Sequence, residues 1–289
     1  MNESKDAVRA EVRGLLAGTA DALAAVSESP GLDAQVLLAH ALGHNRSWLY
    51  AHPEYRVNDK EAEAFARLVA ARLEGRPVAH LTGEREFWSL PLRVDDSTLI
   101  PRPETEQLVE IVLRLDLPRT ARVLDLGTGS GAIALALAHE RPQWHIVATD
   151  RSLPALTVAA DNARRLQLSN LSLLCGDWLS PITRAAQFDL IVSNPPYIAA
   201  GDPHLGRGDV RFEPRTALAA GDDGLDAIRS ITAQAPSILS DGGWLWLEHG
   251  FDQGERVRAL LVHHGFHQVV TERDLAGKAR HSGGRLQTR

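Results

Sequence analysis

What most restricts the fold is an alternation of two apolar periods that sets in near residue 121. Arg122-Val123-Leu124-Asp125-Leu126 reads as a strand, Ala132 to His139 as a helix and His145 to Thr149 as a strand. Ser152 then caps a helix with Leu156, Ala159, Ala160, Ala163 and Leu166 on one side, and Leu171–Leu174 and Phe188–Ser193 return as strands. Leu225, Ile228, Ile231, Ala235, Ile238 and Leu239 line one more helix, followed by strand Trp244–Glu248, helix Gln253–His264 and strand Phe266–Thr271. Strands separated by helices pair in parallel, so the pattern predicts an α/β fold: a doubly wound, mostly parallel sheet with helices on both faces. The ligand site of such a sheet lies at the carboxyl ends of its strands.

The residues before this alternation have a different texture. Val8, Val12, Leu15 and Leu16 mark one amphipathic stretch, and Val36, Leu37, Leu38 and Leu42 mark another, opened by Asp33 and closed by Gly43. A third has a capping box of Asn58 and Glu61, a stripe of Phe65, Leu68, Val69 and Leu73, and a stop at Gly75 and Pro77. Residues 1–75 therefore read as a small helical bundle. From 76 to 105 the period falls to two: Leu90, Leu92 and Val94 share a face, Asp95-Asp96 offers a turn and Pro91 suits an edge, which predicts a β-hairpin linker. Residues 106–289 form the third region, entered by a helix that starts at Glu104 and runs through Leu108, Val109, Val112 and Leu113.

Composition removes several classes. With one cysteine in 289 residues, a disulfide framework is excluded, a reducing setting is expected, and Cys175 reads as a small buried strand residue. The polar start Met1–Asp6 and the absence of an apolar run near ~20 residues predict a cytoplasmic chain with no membrane association. A net charge of −6 argues against direct nucleic-acid binding through a general phosphate-gripping surface. His40/His44 and His263/His267 have helical metal-ligand spacing but no nearby third ligand, so no metal site is expected. Asp202 to Arg215, with two glycines and two prolines, reads as a mobile loop over the cleft.

Four segments carry chemistry. Asp125-Leu126-Gly127-Thr128-Gly129-Ser130-Gly131 sits between a strand and a helix, where glycines let the backbone approach a nucleotide-like ligand. Asp150, ending the next strand, is placed to accept from two ribose hydroxyls. The Gly-x-Gly-x-Gly spacing departs from that of dinucleotide folds and suits S-adenosylmethionine, which has no pyrophosphate; Asp125 can address its ammonium group. Asp177 and Trp178 offer a carboxylate for an adenine amino group and an indole for its face. Asn194-Pro195-Pro196-Tyr197 follows the fourth strand. There the Asn194 side-chain oxygen and the Pro195 carbonyl can each accept one hydrogen of a planar –NH2 group, with Tyr197 against its plane. Such a clamp aims a nitrogen at an electrophilic methyl.

Together with Phe87–Leu92, Ile100–Thr105, Asp209–Arg215, Gly221–Asp226 and Leu247–Gly250, these motifs closely resemble the HemK-type family of peptide chain release factor glutamine methyltransferases, densely over residues 76–277. The resemblance implies a class I S-adenosylmethionine-dependent methyltransferase fold. The implied substrate is the glutamine of the Gly-Gly-Gln motif of class 1 release factors, methylated on its side-chain nitrogen. It also implies that the N-terminal bundle helps to hold the release factor. By the same match, Gly127, Thr128, Gly129, Ser130, Gly131, Asp150 and Trp178 bind the methyl donor and Asn194 to Tyr197 the glutamine, with Phe87, Arg102 and Glu104 as further walls of the cleft. Asn-Pro-Pro-Tyr alone is shared with DNA adenine and ribosomal RNA guanine methyltransferases. The competing expectation is therefore methylation of a base amino group, and a catalytically silent binding module is the third. The stretch Arg280–Arg285 departs from the more apolar sequence of the family at the last edge strand.

Overall fold

The computed structural model describes residues 10–183 and 185–287, so Met1–Asp6 and Val8 lie outside the described residues. It divides into two units, one of residues up to Gly83 together with Gly208–Phe212, the other of Glu84–Arg207 and Glu213–Arg289. The division thus falls after Gly83, where the sequence reading placed boundaries at 75/76 and 105/106.

The first unit contains α1 (Val12–Leu23), α2 (Pro30–Leu42), α3 (Arg46–Ala51), α4 (Asp59–Leu73) and α5 (Val78–Thr82). Val12, Leu23, Leu37, Leu38, Leu49 and Phe65 form its core. The capping box of α4 is present, with the Glu61 amide donating to Asn58 Oδ1 at 3.0 Å and the Asn58 amide to Glu61 Oε2 at 2.9 Å. Gly43 closes α2 in the left-handed region. Asp33 does not open that helix: Ser29 and Pro30 do, and Asp33 lies a turn inside it. There it is buried and accepts from Arg72 Nε at 2.8 Å, while Arg72 Nη1 donates to Asp209 at 2.8 Å. Helices α3 and α5 are too short to show a period in sequence.

The second unit opens with a hairpin of β1 (Glu84–Phe87) and β2 (Leu90–Arg93). Its turn is Trp88-Ser89, not Asp95-Asp96, and both turn residues have positive φ, 54° and 58°. Two-residue hairpins need this hand of turn, which non-glycine residues adopt only with support. Here Glu106 accepts from the Trp88 amide at 2.7 Å and Glu140 from its indole N–H at 2.8 Å.

Next come α6 (Pro103–Leu113), β3 (Arg122–Leu126), α7 (Ala132–Glu140), β4 (His145–Asp150), α8 (Leu153–Arg165), β5 (Leu171–Cys175) and β6 (Phe188–Ser193). They are followed by α9 (Asp226–Gln234), β7 (Leu239–Glu248), α10 (Gly254–His263), β8 (Phe266–Arg273) and β9 (Ala279–Leu286). The helix read through Leu239 ends at Gln234, because Pro236 confines Ala235–Ser237 to a 3-10 turn and Leu239 already pairs with Phe188 in the sheet. Strand order is β5-β4-β3-β6-β7-β9-β8, parallel except at β9.

That reversal lies inside the sheet, between β7 and β8, and not at its edge. The polar run Arg280–Arg285 conceals β9 because two of its positions accept only glycine: a Cβ on Gly283 would stand 2.2 Å from the Trp246 ring and one on Gly284 2.9 Å from Val269. Cys175, read as buried, is exposed, because it ends the edge strand β5. In the Asp202–Arg215 stretch, Pro203–Gly206 and Gly208–Phe212 form 3-10 turns.

Candidate active site

The carboxyl ends of β3, β4, β5 and β6 open on a cleft of about 330 Å³ within the second unit. Its lining includes Gly127, Gly129, Asp150, Asp177, Trp178, Asn194 and Pro196. The glycine loop is held by backbone bonds. The amides of Gly127 and Thr128 both donate to the Thr149 carbonyl, at 2.9 and 3.0 Å, and Gly127, Gly129 and Gly131 all have positive φ. At Gly127 the bare Cα also admits Trp178, whose Cζ3 lies 3.3 Å from where a Cβ would be. Asp150 accepts from the Gly129 amide at 2.9 Å and the Ser152 amide at 2.8 Å, one on each oxygen, which leaves each oxygen a lone pair for a hydroxyl.

Asp125 lies beneath the loop. It is 1% exposed, its Oδ2 accepts from Thr128 Oγ1 at 2.6 Å, and its Oδ1 is buried without a hydrogen-bond partner. Burial first, and the nearby Asp150 charge, push its carboxyl up to about 7 against the pull of the Thr128 hydroxyl and the Ala134 backbone amide. An unpaired buried carboxylate oxygen below a glycine cradle, with a second carboxylate beside it, suits a ligand that carries an ammonium group and a ribose. The residues present therefore fit S-adenosylmethionine.

The Asn194 side of the cleft is built from side chains distant in sequence. Asn194 Nδ2 donates to Thr105 Oγ1 at 3.0 Å, and that hydroxyl donates to Glu248 Oε2 at 2.7 Å. Tyr197 Oη reaches the other carboxylate oxygen at 3.4 Å, and burial together with the Glu248 charge holds the phenol proton above its ordinary affinity. Among the described residues, no donor reaches the Asn194 side-chain oxygen or the Pro195 carbonyl. Gln253 fixes the loop, donating to the Tyr197 carbonyl at 2.9 Å while accepting from the Gly250 amide at 2.8 Å.

The other candidates sit elsewhere. Phe87 is 1% exposed and belongs to the core, so it walls no cleft. Glu104 is exposed in the first turn of α6. Arg102 donates to the buried Glu213 at 2.6 Å, which anchors the chain just before the cleft residues Pro214, Thr216 and Ala217. Asp125, Thr128, Ser130, Gly131, Pro195 and Tyr197 shape the loops without lining the cleft. Sequence reasoning gave no role to Thr105, Glu248, Gln253 or Asn162. The last donates to the Ser130 and Arg93 carbonyls, both at 3.0 Å, tying hairpin to glycine loop. Thr105 and Glu248 stand inside segments that carry the family resemblance, but no local spacing shows that they meet.

Residues 14–83 match the PrmC N-terminal domain family and residues 105–206 the methyltransferase small domain family. The chain is 49% identical over 262 residues to the release factor glutamine methyltransferase of Vibrio cholerae, covering 91% of this chain and 92% of that one. It is 51% identical over 263 residues to the protein of that name from Xylella fastidiosa, covering 91% and 95%. The relative of that name in Escherichia coli is 49% identical over 259 residues, covering 90% and 93%. In fold it resembles a methyltransferase from Pyrococcus furiosus, with TM-score 0.54 at 18% identity over 77% of this chain and 99% of that one. A second such likeness is to the 16S rRNA N2 G1207 methyltransferase of Thermus thermophilus, with TM-score 0.50 at 19% identity over 71% and 50%.

Proposed function

The chain belongs to the release factor glutamine methyltransferase family, and from that premise we propose that the cleft aligns a glutamine amide nitrogen for attack on a sulfonium methyl group. The protein is an S-adenosylmethionine-dependent enzyme that transfers a methyl group to a glutamine of a release factor. We assign as acceptor the glutamine of the Gly-Gly-Gln motif of class 1 release factors, and as site of action the cytoplasm. No helix among the described residues is long and apolar enough to cross a membrane.

The observation that carries this reading is the unpartnered Asn194 side-chain oxygen, in the same cleft as the glycine loop and Asp150. S-adenosylmethionine supplies an electrophilic methyl on a positive sulfur. When bound, it would be admitted closely by Gly127 and Gly129, with Asp150 at its ribose hydroxyls, Asp177 and Trp178 at its adenine, and the buried Asp125 beneath the loop offering negative charge for its ammonium. The Asn194 side-chain oxygen accepts an N–H of the glutamine amide, which orients its nitrogen toward the methyl, and Pro195, buried between the lining residues Asn194 and Pro196, stiffens that turn. Amide nitrogen is a weak nucleophile, and orientation can contribute roughly 7–11 kcal/mol toward such a step. Tyr197 keeps its proton and is no base; its hydroxyl is directed at Glu248.

The test is incubation of the enzyme with labelled S-adenosylmethionine and a class 1 release factor. Label is expected in the intact factor and absent from its Gly-Gly-Gln→Gly-Gly-Ala variant. Equal labelling of both would remove the assigned acceptor, and labelling of DNA or RNA instead would move the reaction to a base amino group.

A further inference from the structure

We propose that Thr105 and Glu248 are positioning residues that decide which end of the Asn194 amide faces the cleft. The inference rests on the glutamine-clamp reading above and adds to it the device that gives the clamp its polarity.

A threonine hydroxyl has one proton, and a carboxylate has none to give. Thr105 is 4% exposed and Glu248 2%, so no bulk water substitutes for either partner. With Thr105 Oγ1 2.7 Å from Glu248 Oε2, the hydroxyl proton is committed to the carboxylate. Thr105 can then only accept from Asn194, so the side chain must turn its –NH2 to Thr105, at 3.0 Å, and its oxygen away. The two ends of an asparagine amide are nearly the same size, and packing alone chooses poorly between them. Reversed, Asn194 would present –NH2 to the –NH2 of glutamine, donor against donor.

The arrangement also explains why an acidic residue ends a strand buried in the sheet. Glu248 closes β7 and pairs across the ladder with His281 of β9, whose Nε2 is 3.6 Å from Glu248 Oε2. The same carboxylate receives Thr105 on one oxygen and the Tyr197 hydroxyl on the other. Both ends of the Asn194–Tyr197 tetrapeptide are thus referred to a single fixed charge.

The experiment compares Thr105→Val, which removes the hydroxyl at constant shape, with Thr105→Ser, which restores it. Turnover of the release factor, affinity for S-adenosylmethionine by calorimetry and thermal unfolding are measured for each. For Thr105→Val, kcat is expected to fall about 10²-fold, as for other misplacements of a reacting group. Donor affinity should stay within about threefold, while the melting temperature should fall, because Glu248 and Asn194 each lose a buried partner. Thr105→Ser should recover kcat to within about threefold, and Thr105→Val combined with Asn194→Ala should be no slower than Asn194→Ala alone. Wild-type turnover in Thr105→Val overturns the proposal. So does a loss that Thr105→Ser fails to rescue, or one accompanied by donor binding weakened to the same extent as turnover, since those mark a merely structural residue. A wild-type enzyme that never labels the release factor would instead overturn the parent reading, and this inference with it.

Discussion

The two sides of the cleft are built on different principles. The glycine-loop side draws on residues 125–131, 150–152 and 177–178, close in sequence, and is held by backbone amides that donate to the Thr149 carbonyl and to the Asp150 carboxylate. The Asn194 side brings together Thr105, Asn194, Tyr197 and Glu248 through side-chain bonds that span up to 143 residues of sequence. A backbone-built site is set by where the chain turns and tolerates many side chains. A site built by side chains across the sheet depends on each member, because removing one leaves its buried partner unsatisfied.

The sharpest way to break this contrast is Asn194→Ala. Methyl transfer is expected to fall by about 10³-fold or more, since both binding and orientation of the amide are lost, with donor affinity within about threefold of wild type. Rapid-quench turnover and calorimetry check the two halves. Donor affinity that collapsed with turnover would mean that the two sides are one unit.

Asp150→Ala addresses the other side. It removes the acceptor for the Gly129 and Ser152 amides as well as for two ribose hydroxyls, so the donor Kd is expected to rise about 10²-fold. Turnover at saturating donor should fall far less. A loss confined to turnover would transfer Asp150 to the chemistry.

The smallest effect expected is on pH dependence. Asp125 has its carboxyl pushed up to about 7 by burial, so the folded protein holds that proton more tightly than the unfolded chain. Its contribution to stability is full near pH 4, declines as pH rises toward about 7 and is flat above. Binding an ammonium beside it favours the carboxylate, so donor affinity should fall by up to about tenfold per unit below pH 7. Calorimetric titrations from about pH 5.5 to 8 would show this, and Asp125→Asn should flatten the profile. A flat wild-type profile would separate Asp125 from the donor.

Legibility in sequence followed the same contrast. Strands β3, β4 and β6 were readable because each is a short apolar run bordered by turn residues, and the glycine loop because its spacing is local. The hairpin's turn escaped notice because Trp88-Ser89 holds positive φ with the support of Glu106 and Glu140, partners that no local rule foresees. β9 escaped because its glycines answer to Trp246 and Val269, and not to any period of its own. Phe87 looked like a wall because an aromatic beside a functional motif suggests stacking, whereas its ring fills the core. Thr105 and Glu248 were invisible as a pair for the reason that makes them consequential: only the closed sheet brings them within bonding distance.

The polarity of Asn194 bears on chemical ageing of the substrate. A glutamine that hydrolyses to glutamate, releasing ammonia, keeps its shape almost unchanged but exchanges its –NH2 group for an oxygen that can only accept. On the clamp proposed above, the group facing it would be the Asn194 oxygen, an acceptor that no donor among the described residues reaches. The aged side chain meets like poles where the fresh one finds partners, and a site made to hydrogen-bond N–H groups rejects such an analogue far more strongly than size could. A clamp of that polarity would therefore select the amide over its hydrolysed form.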